Sequence, residues 1–498
     1  MSYRSSSGRT WPVSSLLLAG LILLAFVLRF YRLGAWSFAD DEIFTLRDSL
    51  SPTLDNPRPL LYFLNFFLVR PLMPMDELGM RVLPAIFGVL AIPVFYFVSR
   101  RLIGTRAALF GAFLLAVNNF HIYQSSFARY WSLVFLLSAV YPFAIYLGIR
   151  DRSRGALALG VIAGVLAVLA HPVAVLPMGG LLLFYVLQLR HKDLGRLWGR
   201  PSVRWAAFLT VVLAAVIALR YVPVLRSWIF DRPHLRLGDH LLRAPTGLGV
   251  KQIAILLGYV EGLTLPVALA GVVGIYILWR ARSQELALLL SCLLIAPVSF
   301  ILLLSFRTAV STTYLVATVP ILFMGAGVFM DRLIAVEWGI RPRWLLPGTL
   351  VLIMLSPSLP TLLSQYRDGR RADFRGAARW LDVRLGPQDV VYSDQYRTLT
   401  HYLPEQHVDR LEADPAPLIR SMRALQQSGG PGSLWIVAPV QGGVRSNAGY
   451  GLLKQWLYDN CQLRKVTGKP RLDFRKNELH IFRCAPAPSG MKTEKGKT

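Results

Sequence analysis

Charged residues are scarce in this chain, and acidic residues are scarcer than basic ones. Only 16% of its 498 residues are charged, with 28 acidic against 54 basic side chains, while 54% are hydrophobic. A soluble domain carries about 25% charged residues. The composition therefore excludes an ordinary soluble protein for most of the chain and indicates that lipid is its main solvent.

Several sequence signatures are missing as well. The chain has no Gly-rich phosphate loop, no zinc-ligand spacing and no aromatic–basic recognition pattern, so its net charge of +26 does not indicate nucleic-acid binding. No small-residue cleavage site precedes Arg29, which argues against a cleaved signal peptide. No internal repeat of the kind common in transporters is visible.

Cysteine is rare, with three residues in the whole chain. Cys292 lies within an apolar run, where cysteine is most simply a small packing residue. Cys461 and Cys484 lie in the more polar C-terminal part, and a disulfide between them requires a location outside the cytoplasm. The sequence leaves that pairing open.

Long apolar runs fill the first three quarters of the chain, and a membrane-crossing helix needs about 20 such residues. We predict eleven transmembrane helices, with the pair around His171 open to interpretation as one kinked helix. The runs lie at about 14–31, 79–99, 106–119, 127–148, 155–170, 172–189, 204–222, 262–279, 284–305, 313–330 and 344–363.

The distribution of Lys and Arg predicts the orientation of these helices, because cytoplasmic loops are enriched in basic residues. Short basic loops occur at 100–106, 150–154, 190–204, 280–282 and 332–343. With the N-terminus in the cytoplasm, all of these fall on the cytoplasmic side. The loop 33–78 and the region after residue 364 then lie on the opposite side.

The loop 33–78 concentrates the acidic residues of the membrane part. Seven acidic residues lie between Asp40 and Glu77, and three of them form the triplet Asp40-Asp41-Glu42. Adjacent carboxylates repel one another unless a cation or proton compensates them, so the triplet predicts a functional site. A solvated acidic loop is the alternative. Helical spacing at 41–50 and a proline-initiated aromatic segment from Pro57 to about Val69 predict two helices lying in the membrane interface.

Six segments follow one another in an order and spacing that resemble a known family. They are the Asp41-Glu42 pair, 58–63 (Arg-Pro-Leu-Leu-Tyr-Phe), 81–90 (Arg-Val-Leu-Pro-Ala-Ile-Phe-Gly-Val-Leu), 101–109, 125–131 (Ser-Ser-Phe-Ala-Arg-Tyr-Trp) and His171. The chain resembles the bacterial family 39 glycosyltransferases, which include protein O-mannosyltransferases and the lipid A aminoarabinose transferase. The likeness extends over about residues 12–330.

The resemblance implies a GT-C membrane fold and a glycosyltransferase of the bacterial cytoplasmic membrane. Such an enzyme takes a sugar from a polyprenyl-phosphate donor and transfers it to a lipid, glycan or protein acceptor at the external face. On this reading Asp41 is the catalytic base and Glu42 its partner, since the acceptor hydroxyl must lose a proton. The cofactor is unknown; a divalent metal cation held by Asp41 and Glu42 is one hypothesis.

The departing lipid phosphate needs cations, and arginine binds phosphate with two parallel hydrogen bonds. The candidate substrate-binding residues are Arg81, Arg129, Arg58, Tyr62, His171, Arg307 and Tyr314. For each arginine the alternative is an interfacial side chain that extends to the membrane surface. For His171 the alternative is packing at a helix end.

Three departures from the family pattern affect the site. Phe127 stands where the motif Ser-Gln-Glu-Ala-Arg-Met-Tyr has its glutamate, and Thr313 precedes Tyr314 where the family has arginine. Arg307 is the nearest replacement for that cation. Only Asp55 lies near the position of a second loop carboxylate, which puts a two-carboxylate metal site in doubt.

After the last apolar run the pattern changes to short alternating elements, which predicts a small α/β domain. We place the membrane domain at 1–364, the α/β domain at 365–484 on the non-cytoplasmic side, and a disordered tail at 485–498. Predicted helices lie at 373–385, 415–427 and 449–459, and predicted strands at 389–393, 433–437, 462–467 and 478–483.

Two other functions are compatible with parts of this pattern. A membrane transporter is one, although its acidic residues would be expected within the membrane rather than in a loop. A catalytically inactive relative that acts as a binding or scaffold protein is the other, since Phe127 and Thr313 replace motif residues. The intact Asp41-Glu42 pair argues against inactivity.

The predicted orientation can be tested by labelling. Single cysteines introduced into loop 33–58 and near residue 430 are expected to react with an impermeant thiol reagent in intact cells or spheroplasts, because both lie on the non-cytoplasmic side. A cysteine in the basic loop 150–154 is the control and should react only after permeabilisation. Labelling of one external site without the other would contradict the eleven-helix topology.

Overall fold

A computed structural model describes residues 11–189, 250–281, 283–306, 310–336, 345–367, 369, 371–412, 416–427, 432–439, 448–468 and 478–484. The chain divides into two compact units. The first comprises Met1–Leu33 and Asp48–Ser358, and the second comprises Gly34–Arg47 and Leu359–Thr498.

Helices dominate the chain up to residue 367. They are α1 (Trp11–Phe30), α2 (Asp40–Leu50), α3 (Pro59–Leu64), α4 (Glu77–Ile103), α5 (Thr105–Val117), α6 (Asn119–Ser125), α7 (Trp131–Ser138), α8 (Tyr141–Arg150), α9 (Arg154–Ala170), α10 (Leu176–Leu189), α11 (Val250–Leu263), α12 (Leu265–Arg280), α13 (Gln284–Leu304), α14 (Val319–Ala335), α15 (Leu345–Leu355) and α16 (Ser358–Arg367). A π-helical turn follows α3 at Asn65–Val69, and 3-10 turns lie at Pro172–Val175 and Thr312–Thr318.

Long apolar helices confirm a polytopic membrane protein, but they do not confirm eleven spans. Within the described ranges, five helices are long and apolar enough to cross a membrane, and two bent pairs raise the number to seven. One such pair, Gln252–Leu263 and Leu265–Arg280, bends by 94°. The apolar runs at 106–119 and 155–170 form shorter helices, α5 and α9, and 204–222 lies outside the described residues.

Glycines allow α12 and α14 to pack at close range. A Cβ atom on Gly274 would lie 1.7 Å from the carbonyl oxygen of Gly325, and one on Gly325 would lie 2.1 Å from the carbonyl oxygen of Gly271. Small residues in register are the usual way for membrane helices to pack backbone against backbone. This crossing therefore fixes part of the membrane core.

Arg29, at the end of α1, is a fully buried cation that the sequence analysis did not identify. It donates to the carbonyl oxygen of Ala116 (3.0 Å) and lies 2.7 Å from Nδ1 of His121. The last carbonyls of a helix lack partners within the helix and carry partial negative charge. Arg29 thus caps the C-terminus of α5 and fixes the turn that leads to the motif segment 125–131.

The second unit contains a five-stranded sheet with helices beside it. Its strands are β1 (Val390–Ser393), β2 (Val408–Arg410), β3 (Leu434–Pro439), β4 (Gln462–Thr467) and β5 (Leu479–Cys484), in the order β2-β1-β3-β5-β4. The pairs β1–β2 and β1–β3 are parallel, and β3–β5 and β4–β5 are antiparallel. Its further helices are α17 (Phe374–Asp382), α18 (Tyr396–Tyr402), α19 (Ala416–Gln427) and α20 (Ala448–Asn460).

Both faces of this sheet carry a hydrophobic core. Val391 and Trp435 pack with Phe374 of α17 on one face, while their neighbours Tyr392 and Ile436 belong to the core on the other face. Successive strand residues point to opposite faces, so apolar residues at consecutive positions require helices on both sides. Cys461 and Cys484 form a disulfide that joins the start of β4 to the end of β5.

The boundary between the units differs from the predicted domain boundary. The sequence analysis assigned loop 33–78 to the membrane domain and began the α/β domain at 365, whereas Gly34–Arg47 groups with the C-terminal residues, which begin at Leu359. The reason is a set of hydrogen bonds made by this segment. Phe38 N–H donates to the hydroxyl of Tyr402 (2.8 Å), and Arg375 N–H donates to Oγ of Ser37 (3.0 Å).

The glycine contact makes a testable prediction. Gly274→Leu should destabilise the first unit by at least about 1–3 kcal/mol, because the added atoms meet the Gly325 backbone and cannot be accommodated by a rotamer change. Gly179→Leu is the matched control, since a Cβ there meets nothing within 4 Å. Thermal unfolding of the purified variants in detergent measures the difference. Equal melting temperatures for the two variants would show that α12 and α14 do not pack as described.

Candidate functional site

The acidic triplet begins helix α2, and its third residue stabilises that beginning. Glu42 occupies the third helical position, and its carboxylate accepts a hydrogen bond from the backbone N–H of Ala39 (3.0 Å). A glutamate at this position commonly binds the N–H of the residue that precedes the helix. The positive end of the helix dipole also stabilises the negative charge of this carboxylate. Local helix chemistry therefore directs Glu42 into the protein.

Glu42 is fully buried and forms an ion pair with Arg371, whose side chain is only 9% exposed. Burial lowers the pKa of Arg371 to about 9, while the charge of Asp41 acts in the opposite direction, so the guanidinium stays protonated at neutral pH. A buried carboxylate is stable only with such a partner. Arg371 thus compensates Glu42 and is electrostatically coupled to Asp41.

Asp40 has its own partners in the second unit. Its carboxylate accepts hydrogen bonds of 3.5 Å from Arg397 and from the hydroxyl of Thr398. Partial burial raises the pKa of Asp40, and the charge of Arg397 opposes that rise. The Arg397 guanidinium is itself held between the rings of Phe44 (4.6 Å) and Tyr396 (4.7 Å).

Asp41 is the exposed member of the triplet. Its neighbours on both sides are engaged, Glu42 with Arg371 and Asp40 with Arg397. Of the three carboxylates, that of Asp41 is the most accessible to solvent.

A metal ion on Asp41 and Glu42 does not fit this arrangement. One oxygen of Glu42 already receives the Arg371 guanidinium and the Ala39 N–H, and a divalent cation would have to displace a buried positive charge. Among the described residues, no group of three His, Cys, Asp or Glu side chains is placed to hold a metal.

The sequence analysis did not identify Arg371 and Arg397. Arg371 lies eight residues after the last apolar run (344–363), where basic residues usually mark the membrane boundary, and Arg397 lies in α18, a helix that was not predicted. The sequence did contain one indication of these arginines. Three consecutive carboxylates at 40–42 need cations nearby, and those cations had to come from elsewhere in the chain.

The first unit contains a separate cluster of predicted substrate-binding residues. Arg58 and Arg129 both donate to the hydroxyl oxygen of Tyr130, Arg129 at 3.2 Å. Both guanidinium carbons also lie near the Tyr130 ring centroid, at 5.2 and 5.0 Å. Residues from two sequence motifs about 70 positions apart thus meet at one phenol.

Local turn chemistry positions Arg58. The side-chain oxygen of Asn56 accepts the backbone N–H of Arg58 (3.0 Å), as asparagine often does two residues ahead of itself in a turn. Asn56 is held in turn by the carboxylate of Asp48 (3.0 Å). Pro59 then begins α3, where proline fits the first helical position.

Aromatic rings surround Tyr130. The His171 ring lies 4.7 Å from the Tyr130 ring and 4.8 Å from the Trp131 ring, and the Tyr314 ring lies 5.8 Å from His171. His171 Nδ1 accepts the backbone N–H of Val173 (3.1 Å), so the neutral ring carries its proton on Nε2.

Five of the seven predicted substrate-binding residues share this region of the first unit. Tyr62 is buried, and the charges of Arg58 and Arg129 act on its hydroxyl, while His171 and Tyr314 complete the set. We call Arg58, Tyr62, Arg129, Tyr130, Trp131, His171 and Tyr314 the arginine–aromatic cluster.

Of the other two predicted residues, Arg81 has a different contact within the first unit. Arg81 is buried in α4 and donates to the carbonyl oxygen of Leu33 (3.1 Å), a contact that supports the chain just after α1. Arg307 lies outside the described residues.

No protein-family model and no curated protein matches this sequence. Solved structures do match its fold. ArnT from Cupriavidus metallidurans bound to undecaprenyl phosphate is 18% identical with a TM-score of 0.56, and the match covers 97% of this chain and 99% of that chain. The archaeal oligosaccharyltransferase AglB from Archaeoglobus fulgidus, in complex with an inhibitory peptide and a dolichol-phosphate, is 13% identical with a TM-score of 0.55; the match covers 86% of this chain and 69% of that one.

The chain has the GT-C fold. The expected fold is thereby confirmed over nearly the whole length of both ArnT and this chain. At this level of identity the likeness concerns the fold, so the roles of individual GT-C site residues rest on their own geometry.

In this GT-C protein, removal of Arg371 alone should reduce stability much more than removal of both charges of the Glu42–Arg371 ion pair. Arg371→Met should destabilise the second unit by about 3–5 kcal/mol, because it leaves the fully buried Glu42 carboxylate unpaired. Glu42→Gln in the same chain should recover most of that loss, since a neutral amide can still accept the Ala39 N–H. Thermal unfolding and limited proteolysis of the purified protein measure both effects.

Arg397→Met provides the control for this comparison. Its pair with Asp40 is 3.5 Å long and about one third exposed, so its loss should cost at most about 1 kcal/mol. Equal destabilisation by the two arginine substitutions would contradict a special role for the Glu42–Arg371 pair.

Proposed function

We propose that the chain is a membrane glycosyltransferase that transfers a sugar from a polyprenyl-phosphate donor to an acceptor at the external face of the bacterial cytoplasmic membrane. The observation that carries this proposal is the state of the acidic triplet. Arg371 and Arg397 pair with Glu42 and Asp40, while Asp41 is exposed at the start of α2. This is the arrangement that a general base at a membrane surface requires.

Asp41 acts as the base in the proposed reaction. The acceptor hydroxyl transfers its proton to an Asp41 carboxylate oxygen as its own oxygen forms a bond to the anomeric carbon. The bond between that carbon and the phosphate oxygen breaks, and its electron pair stays on the phosphate. The transition state carries positive charge on the sugar, which the nearby carboxylate also stabilises.

Glu42 supports this chemistry without contacting the substrate. Its ion pair with Arg371 anchors the first turn of α2 and so orients the adjacent Asp41. Glu42 is thus proposed as a positioning residue, and Asp41 alone as the proton acceptor.

Arg58 and Arg129 bind the phosphate of the donor and stabilise the charge that develops as it leaves. Guanidinium groups match the geometry of a phosphate, and their hydrogen bonds to it become stronger as its negative charge grows. The neighbouring rings of His171, Trp131 and Tyr314 provide a surface for the sugar. The bound undecaprenyl phosphate of ArnT and dolichol-phosphate of AglB support a lipid-phosphate donor for a chain of this fold.

Two details of the proposal come from the sequence pattern. The positive-inside distribution supports a cytoplasmic N-terminus and places the acidic triplet outside. The disulfide between Cys461 and Cys484 agrees with a non-cytoplasmic C-terminal unit, since disulfides persist in oxidising compartments. The acceptor class (lipid, glycan or protein) is found by mass analysis of surface glycolipids and glycoproteins from cells with and without the protein.

Substitution of Asp41 tests the proposed base. Asp41→Asn should reduce sugar transfer by about 10²–10⁴-fold, the usual cost of losing a general base, while leaving insertion and melting temperature unchanged. The measurement is transfer of labelled sugar from polyprenyl-phosphate donors into membranes of cells that lack the protein. Glu405→Gln, at an exposed carboxylate of the second unit, is the matched control and should transfer normally.

Glu42→Gln separates the base from its support. It should lower the melting temperature and reduce transfer less than Asp41→Asn. Normal turnover by Asp41→Asn would eliminate Asp41 as the base, and Asp40 would then be the next candidate.

A further inference from the structure

A small groove lies between α2 and α18 in the second unit. It has a volume of about 280 Å³, and its lining consists of Ile43, Phe44 and Arg47 from α2 and Tyr396, Arg397 and Thr400 from α18. Pockets for whole drug-sized ligands measure about 300–1,000 Å³. This cavity, which we call the α2–α18 groove, therefore has room for one group of a larger ligand.

The α2–α18 groove adjoins the candidate base. Asp41 precedes Phe44 by three positions in α2, and residues three apart on a helix are neighbours, with Cβ atoms about 5–6 Å apart. Asp40, on the same helix, bonds to Arg397 of α18. A molecule with one group in the groove can therefore have another group within one helical turn of Asp41.

Arg397 is held in the groove by contacts that use few of its N–H donors. Its guanidinium carbon lies over the rings of Phe44 (4.6 Å) and Tyr396 (4.7 Å), and within the described ranges it makes one hydrogen bond, to Asp40. A guanidinium has five N–H donors. The rings restrict the movement of the guanidinium without accepting these donors, and the side chain is 40% exposed. Donors of Arg397 are therefore accessible to a ligand.

The ion pair between Arg397 and Asp40 is a weak one. Its length of 3.5 Å exceeds the roughly 2.7–2.9 Å of a strong charged hydrogen bond. Burial also raises the pKa of Asp40 in spite of the charge of Arg397. Arg371, in contrast, is almost completely buried against Glu42. Of these two arginines, Arg397 is the one that can bind a further anion.

The charges of the lining favour an oxyanion as the ligand. Both charged side chains of the groove, Arg47 and Arg397, are basic, and the other lining residues are aromatic, aliphatic or hydroxyl-bearing. Arginine binds phosphate and carboxylate groups through two parallel hydrogen bonds, because its planar donors match two oxygens of the anion. An acyl chain would contact the rings but would also bring apolar atoms against two charged groups.

We propose that the α2–α18 groove binds an oxyanion of the acceptor, a phosphate or carboxylate group, with Arg397 as its principal contact. This rests on the proposed function, because the bound group belongs to the molecule whose hydroxyl attacks the sugar. The acceptor is then a molecule with an anionic group close to its reacting hydroxyl. Arg397 binds this molecule and takes no part in the proton transfer to Asp41.

The first test measures occupation of the groove without any sugar transfer. Thr400→Cys places a thiol at an exposed position of the lining. Cys292 is buried and the other two cysteines form a disulfide, so the new thiol is the accessible one. The full chain, in phosphatidylcholine nanodiscs, is labelled with N-ethylmaleimide at constant ionic strength. The probes are glycerol, glycerate and glycerol 3-phosphate, which share a three-carbon skeleton and carry no charge, a carboxylate and a phosphate.

At least one of the two anions should slow the labelling in a saturable manner, and glycerol should not. The anion that protects at the lower concentration identifies the oxyanion as phosphate or carboxylate. Arg397→Gln should raise the half-protecting concentration about tenfold, the expected effect of losing a hydrogen bond to a charged group. Arg397→Lys keeps the charge but loses the paired donors, so it should have an intermediate effect.

Arg379→Gln is the matched control. Arg379 is an exposed arginine of α17 in the same unit and does not line the groove. Its substitution removes the same charge and should leave the half-protecting concentration as in the parent Thr400→Cys protein.

The contrary outcomes are equally definite. Absence of protection by both anions, equal protection by glycerol, or protection that is the same in Arg397→Gln would overturn the proposal. A thiol at position 400 that does not react even without a probe would show that the groove is closed, which also overturns it. If Arg397→Gln melts at a much lower temperature, Arg397→Lys decides, and an unchanged half-protecting concentration in that variant counts against the proposal.

A transfer assay separates this proposal from the proposed function. The donor is labelled polyprenyl-phosphate sugar, and membranes of cells that lack the protein supply the acceptor. The protecting anion should inhibit transfer in competition with the membranes, and Arg397→Gln should raise the amount of membrane needed for half-maximal transfer without changing KM for the donor. Inhibition that added donor relieves would overturn an acceptor site. A protein that binds the anion in the groove but transfers no sugar would contradict the proposed function and, with it, the assignment of the anion to an acceptor.

Discussion

The buried ion pair between Glu42 and Arg371 is the interaction on which the acidic site depends. A carboxylate with no exposed surface is stable only when a cation accompanies it. Glu42 is fixed in sequence beside Asp41 and Asp40, so pairing it also fixes the first turn of α2. The same pair ties the segment Gly34–Arg47 to residues after Leu359, which explains why the second unit is discontinuous in sequence. The residues after Leu359 therefore contribute to the acidic site, because Arg371 and Arg397 supply the cations that pair with Glu42 and Asp40.

The two clusters surround their charged groups with different kinds of partner. In the second unit, Arg371 pairs with Glu42 and Arg397 pairs with Asp40, and Asp41 between them is exposed. In the first unit, Arg58 and Arg129 both donate to the neutral hydroxyl of Tyr130. A base needs an accessible carboxylate, and a phosphate receptor needs oriented cations. Each arrangement fits the role that the proposed reaction assigns to it.

The sequence predicted much of the secondary structure, because strands and helices in the second unit have clear periodicity. The predicted strands at 389–393 and 433–437 correspond to β1 and β3, and the closing pair corresponds to β4 and β5. It missed α18 and β2, which are short and half polar. The predicted number of spans is not confirmed within the described residues, since apolar length alone does not distinguish a full crossing from a helix broken at Thr264 or a short helix such as α5.

The residues of the candidate site were predictable only where a motif carried them. Arg58, Arg129, His171 and Tyr314 were found because they stand in recognisable segments, whereas Arg371 and Tyr130 were not. Arg371 became visible only when folding placed it against Glu42, since no local pattern relates positions 329 residues apart. Tyr130 lies in the motif segment 125–131, but its side chain has no charge, so the need for cations at the site did not indicate it.

Substituted motif positions therefore give incomplete information about a site. The loss of a glutamate at Phe127 suggested a weakened site from the sequence, but the structure shows that the neighbouring Tyr130 now provides the acceptor for Arg129. The inactive scaffold was suggested by the changed motif position alone. Because Arg129 keeps a hydroxyl partner in the next residue, the phenylalanine at 127 does not by itself show that the arrangement around Arg129 has been lost. A motif position therefore has to be judged together with the side chains that surround it in the fold.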